Sequence, residues 1–189
     1  MALKILISIR MNEKGLRGFS TLGLAFSYND LFQLAYFLIP AYVANAVPVL
    51  FGGDPPLDFG KYFVDGERIF GVNKTVKGFL SGFVLGSAIS LIEELILMKE
   101  LILLGVLASF GSMLGDLFGS FIKRRLRISP GSSLLIVDQL DFIIGALVIT
   151  FPIYRFSHSM LLLILMITPP IHILANIVAY LLNLKRTFW

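Results

Sequence analysis

The sequence predicts an all-α integral membrane protein with five transmembrane helices and two charged cytoplasmic loops. Three observations carry that expectation. Hydrophobic residues make up 57% of the 189-residue chain and charged residues only 15%, against roughly 25% charged in soluble domains, so the chain lacks the polar surface to cover its own apolar bulk. Windows of about 20 mostly apolar residues, enough to cross a hydrocarbon core of about 30 Å, recur along it. Lysine and arginine are concentrated between particular windows.

The expected spans are residues 31–50, 78–98, 101–122, 134–154 and 159–182. The first follows Asp30, an expected N-cap, and contains Pro40, Asn45 and Pro48, which give it a polar seam. Almost nothing separates the second from the third, so they form a hairpin whose tip holds Glu93, Glu94, Lys99 and Glu100. Arg155 and His158 join the fourth to the fifth. Residues 1–30 carry Lys4, Arg10, Lys14 and Arg17, but the apolar run at 5–9 is shorter than the roughly 7–15 residues of a signal-peptide core. They are expected to form an uncleaved tail or interfacial segment ahead of a membrane domain at 31–189.

Residues 51–77 and 123–133 each hold four Lys or Arg, and the C-terminal tail adds Lys185 and Arg186, which makes ten on one side. Lys99, Arg155 and the four basic residues of the N-terminal tail make six on the other. The positive-inside rule then places both charged loops and the C-terminus in the cytoplasm of a multi-pass protein of the cell membrane. The net charge of +4 follows from this bias, and no basic face for nucleic acid is expected. The absence of cysteine excludes disulfide scaffolds, thiolate metal sites and thiol nucleophiles. His158 and His172 have no metal-ligand spacing and read as structural, and no Gly-x-Ser-x-Gly elbow supports serine hydrolysis.

The chemistry-bearing residues lie around the two charged loops. On a continuous helix Asp116, Ser120, Lys123 and Arg124 share one face, as do Asp138 and Asp141 on the next. The short connection makes these helices antiparallel neighbours. Three carboxylates facing lipid would each cost about 2.5–3.5 kcal/mol on insertion scales, so they must face a cavity or a cation. An all-oxygen set of Asp116, Asp138 and Asp141, with no cysteine and no adjacent histidine, suits Mg²⁺ or Mn²⁺ together with substrate phosphates. The structural alternative is that Asp116 pairs with Lys123 or Arg124 and merely holds the helices together.

The first loop runs from Asp65-Gly66 through Gly71 and Lys74-Thr75 to Gly78. A P-loop needs its lysine directly after the second glycine and a strand before it. Val72 and Asn73 intervene here, and no strand is credible. What remains is a flexible turn with Arg68, Lys74 and Lys77 beside a helix start, where phosphate binds well.

Together these segments resemble the CTP-dependent phospholipid cytidylyltransferases, in the residues Gly115-Asp116, Ser120, Lys123-Arg124, Pro130-Gly131 and Asp138-Gln139-Leu140-Asp141. The bacterial Lys-Asp pair is absent, Ser132-Ser133 stands where paired glycines would, and Gln139 replaces an arginine. Those departures resemble the archaeal branch, the CDP-archaeol synthases. That likeness extends to residues 40–46, Phe51-Gly52-Gly53, residues 56–60, Asp65-Gly66, Lys74-Thr75 and Gly78, and covers about 31–182. It implies a Mg²⁺-dependent enzyme with CTP and an isoprenoid ether-lipid phosphate as partners. Asp116, Asp138 and Asp141 would hold the metal. Lys123 and Arg124 would act in catalysis, and Lys74, Thr75, Lys77, Arg68, Ser120, Ser132 and Ser133 would bind phosphate. The rival reading is a small cation transporter or channel using the same carboxylates, although transporter charges belong near the midplane and these lie near one boundary.

Overall fold

The computed structural model describes residues 27–129 and 134–185. These contain six helices and no strand. The helices are α1 (Tyr28–Ala46), α2 (Pro48–Phe51), α3 (Val76–Leu97), α4 (Ile102–Arg125), α5 (Leu135–Thr150) and α6 (His158–Leu181). Four are long and apolar enough to cross a membrane: α1 with α2 as Asn29–Phe51, then α3, α4 and α6. The expected span at 134–154 is shorter than its apolar run, because α5 has only 16 residues, about 24 Å of helix. Beyond Thr150 the chain turns at Phe151-Pro152-Ile153.

α1 does not start as expected. Its N-cap is Ser27, and Asp30 occupies the third helical position, where it completes a capping box. The Ser27 hydroxyl accepts from Asp30 N–H at 3.1 Å and the Asp30 carboxylate accepts from Ser27 N–H at 2.7 Å. Two of the unpaired amides of the helix start are thereby satisfied.

α4 is the central helix, packed against α1, α3 and α5. Between α1, α4, α5 and α6 lies an apolar core that includes Tyr36, Phe37, Leu104, Phe142, Ile143, Met160 and Ile164. At one end of the bundle, the hairpin end, α3 turns into α4 through Met98 and Glu100, both with positive φ. Leu101, which precedes α4, has no capping side chain. The Glu94 carboxylate serves instead, accepting from the amides of Glu100 (2.9 Å) and Leu101 (3.0 Å) and from the Tyr36 hydroxyl (3.2 Å). Glu93 is turned inward and buried. The charged residues of both loops gather at the opposite end.

Candidate functional site

The three aspartates come within electrostatic range of one another because the helices that carry them pack on a glycine seam. Gly111, Gly115 and Gly119 recur every fourth residue on α4 and all are buried. A Cβ at Gly111 or Gly115 would overlap the α5 backbone near Gly145 or Asp141, and one at Gly119 would overlap the Asp141 carboxylate. Small residues at this spacing let backbones approach closely in lipid, where apolar contact alone gives little drive to associate. The approach lays Asp141 over Gly119, within electrostatic range of Asp116, Asp138 and Lys74. This spacing is legible in the sequence, but attention to the charges passed over it.

Each of the other two aspartates holds a lysine. Lys74 Nζ, from the first loop, donates to both Asp116 oxygens at 2.6 and 2.5 Å. Lys123 Nζ donates to Asp138 Oδ1 at 2.6 Å, and Asp138 Oδ2 accepts from the Leu134 amide at 3.1 Å. The cation on Asp116 thus comes from across the bundle, rather than from Lys123 or Arg124 on its own helix. A shallow open cleft lies beside Lys74 and Asp116, walled by Pro48, Thr75, Gly78 and Met113.

The first loop is built around a buried carboxylate. Asp58 accepts from the Arg68 guanidinium and from the amides of Gly60 (3.1 Å), Phe70 (3.2 Å) and Gly71 (3.0 Å). Burial pushes Asp58 up, but the Arg68 hydrogen bond and those of the Gly71, Phe70 and Gly60 amides outweigh it and hold the carboxyl at about 2. Two isolated bridges, Pro56 with Thr75 and Tyr62 with Arg68, stand where a strand was not expected. Arg125 docks the loop on the end of α4. It donates to the carbonyls of Glu67 (3.3 Å) and Arg68 (2.7 Å), pairs with Asp65 at 2.7 Å, and lies over the Phe63 and Phe121 rings.

The expected phosphate-binding residues therefore divide. Lys74 reaches the aspartates, whereas Arg68 faces Asp58. The Thr75 hydroxyl caps α3 by accepting from Gly78 N–H at 3.1 Å, and Lys77 is exposed. Ser120 is buried one turn beyond Asp116. Arg124 is buried beside Gly71, and among the described residues nothing accepts a hydrogen bond from its Nε. Ser132 and Ser133 lie outside the described residues. Phe142 is fully buried.

The last helix adds residues that the sequence reading left aside. His172 stacks on Phe142 with ring centroids 5.9 Å apart. Asn176 lies 3.3 Å from His172 Nδ1 and accepts from Lys185 Nζ at 2.6 Å. The i, i+4 spacing of two polar residues inside an apolar helix was the available signal.

Among the described residues no three histidines or carboxylates stand together as a ready metal cage. The donor set still fits a hard cation in kind, since it offers carboxylate oxygens alone. Asp116 and Asp138 would have to exchange lysine for metal.

Cations from one loop and one helix thus meet carboxylates on two helices at one end of a multi-pass bundle, which defines a membrane protein equipped to handle anions. Residues 27–189 match the CarS-like family, described as CDP-archaeol synthase. The chain is 40% identical over 167 residues to the CDP-archaeol synthase of Pyrococcus abyssi, covering 85% of this chain and 99% of that one. It is 37% identical over 175 residues to that of Methanocaldococcus jannaschii, covering 86% and 99%. A solved structure of an intramembrane enzyme for archaeal membrane lipids biosynthesis superposes with a TM-score of 0.71 at 36% identity, over 76% of this chain and 92% of that one. The chain belongs to the CDP-archaeol synthase family.

Proposed function

We propose that this protein is a CTP:2,3-bis-O-geranylgeranylglycerol 1-phosphate cytidylyltransferase of the archaeal cell membrane, working on its cytoplasmic side. An oxygen of the lipid phosphate attacks the α-phosphorus of CTP, a new P–O bond forms, and the bond to the β-phosphate breaks to release pyrophosphate. In this reading α5 completes a five-span bundle, its turn at 151–153 making up the length that the helix lacks.

The observation that carries the proposal is the pair of lysine–aspartate contacts, Lys74–Asp116 and Lys123–Asp138, gathered around Asp141 in a chain of this family. The nucleophile is already an ionised phosphate and needs no general base. Two polyanions must instead be neutralised and aligned, which is the work of positioned cations in phosphoryl chemistry. Lys74 and Lys123 would leave their aspartates for phosphate oxygens, and buried Arg124 would offer a guanidinium that lacks an ionic partner among the described residues. Mg²⁺ held by Asp116, Asp138 and Asp141 would supply further neutralisation of the triphosphate. The lipid chains would remain in the bilayer while CTP arrives from water. None of the matches named above is a transporter.

The test is incubation of the reconstituted protein with radiolabelled CTP, Mg²⁺ and the ether-lipid phosphate. A labelled, organic-soluble product is expected. It should disappear with EDTA and in Asp138→Asn and Asp141→Asn. Absence of product from the intact protein sinks the proposal, and a cation flux in liposomes would put the transporter reading in its place.

A further inference from the structure

A lysine just past the end of a spanning helix ordinarily stretches its ammonium outward to water. Lys185 is turned the other way. Asn183 has φ 58, and the amides of Leu184 and Lys185 fold back to the Ala179 carbonyl at 2.9 and 3.3 Å. This reversal sends the Lys185 side chain back along the helix to Asn176, which is only 7% exposed.

An ammonium can only donate, so the Asn176 oxygen faces Lys185 and its NH₂ faces His172 Nδ1. His172 is fixed in turn by its stacking on buried Phe142. The amide is therefore held from behind and fixes Lys185 within electrostatic range of Lys74, Asp116, Asp138 and Lys123. Lys74 and Lys123 each have a carboxylate partner, whereas the hydrogen-bond partner of Lys185 is neutral. Burial and the neighbouring Lys74 hold Lys185 below the usual lysine range, while Asp116 and Asp138, also within electrostatic range, pull it upward. Among the described residues no carboxylate pairs directly with this partly desolvated cation, which rests on a neutral amide. A substrate phosphate arriving between Lys74, Lys123 and Lys185 supplies the counter-charge.

We propose that Lys185 binds a substrate phosphate at the reaction centre and that Asn176 is its positioning residue. The inference rests on the cytidylyltransferase reading above. Its chemistry is that of a phosphate dianion or polyphosphate, which either the lipid or CTP could provide, and kinetics separates the two.

The experiment measures steady-state rates of the full-length protein in liposomes, varying CTP at saturating lipid and lipid at saturating CTP. Lys185→Met should raise KM for one of the two substrates by about tenfold or more, and the substrate affected identifies the phosphate. Lys185→Arg should recover part of the loss. Asn176→Leu should raise the same KM, and the double variant should add little to either single change. If the methionine variant loses thermal stability, Lys185→Gln, which keeps a donor for Asn176, is read in its place. A stable Lys185 variant with both KM values within about twofold of wild type overturns the inference, whatever its kcat. Such a result beside an active wild type leaves the cytidylyltransferase reading intact; an inactive wild type removes both.

Discussion

α3 and α4 carry the same packing device and put it to different uses. On α3, Gly78, Gly82, Gly86 and Ser90 recur every fourth residue and are buried. The atoms they admit are the backbone carbonyls of Pro40 and Ala44 and the side chains of Pro48, Ser109 and Met113. On α4, Gly111 and Gly115 admit the backbone of α5, but Gly119 admits a carboxylate. The α3 seam closes the bundle, while the last step of the α4 seam sets the position of Asp141 among Asp116, Asp138 and Lys74. Spacing explains why the helices touch, and the residue pressed into the contact decides whether chemistry follows.

Alanine substitution breaks this comparison most sharply. In Gly119→Ala the new methyl group meets the Asp141 side chain from its carboxylate to its Cβ, so Asp141 must rotate away with a small shift of α5; the fold should survive while Asp141 is displaced. A misplacement of about 1 Å can cost about 100-fold in rate, and a loss of that order is expected in CDP-lipid formation. In Gly82→Ala the methyl group meets the Ala44 carbonyl and the Met113 sulfur, and overpacking of this kind costs about 1–3 kcal/mol. Its Tm in detergent should fall, with specific activity per folded molecule nearly unchanged. Parallel losses of Tm and activity in both variants would erase the distinction.

A second contrast concerns the two arginines at the end of α4. Among the described residues Arg124 is buried without an ionic partner, while Arg125 pairs with Asp65 and donates to the Glu67 and Arg68 carbonyls in docking the first loop. Arg125→Met should free that loop, and with it Lys74, without removing any group expected to touch substrate. Activity should fall by about tenfold, on the scale of one lost charge-assisted contact, and trypsin should cut faster within residues 58–72. Unchanged proteolysis would show that the loop holds itself in place.

The residues that determine the fold were easier to read than their partners. Apolar length located the five longer helices to within a few residues, because the bilayer imposes a length that sequence must meet, but it did not separate α2 from α1. The carboxylates stood out because charge inside an apolar window is costly. Which lysine meets which aspartate was not legible: Lys74 and Asp116 are 42 residues apart, and only the route of the first loop, built on Asp58 and Arg125, brings them together. Arg68 looked like a phosphate ligand on the same charge logic, which cannot see that Asp58 occupies it. Lys185 was counted as an outward-facing tail charge, since nothing in a charge count reveals a chain reversal at Asn183.

Asp58 sharpens the difference between structural and reactive carboxylates. Its folded value of about 2 lies below the ordinary 3.8, so its ionised form favours the folded loop. That stability is complete above pH about 4 and is lost as the pH falls through the folded value of about 2. Hydrogen exchange of the amides of Phe70 and Gly71 should lose protection over that window, after correction for intrinsic rates. Asp58→Asn should be less protected at neutral pH and show little pH dependence. Equal protection in both proteins across the window would remove Asp58 from the centre of the loop.

Glu94 gives the smallest expected effect and the cleanest control. At the hairpin end its carboxylate has two backbone amides and a tyrosine hydroxyl as partners, so it should matter only to the turn. Glu94→Gln keeps the shape and weakens the hydrogen bonds, which should cost about 1 kcal/mol, the scale of a helix cap. That corresponds to a Tm lower by a few degrees. KM for CTP and for the lipid should stay at wild-type values, because the start of α4, which the carboxylate caps, lies about 21 Å along the helix from Asp116. A change in either KM would mean that the hairpin end is coupled to the charged end through α4, and the division of the molecule into a structural and a reactive end would have to be redrawn along that helix.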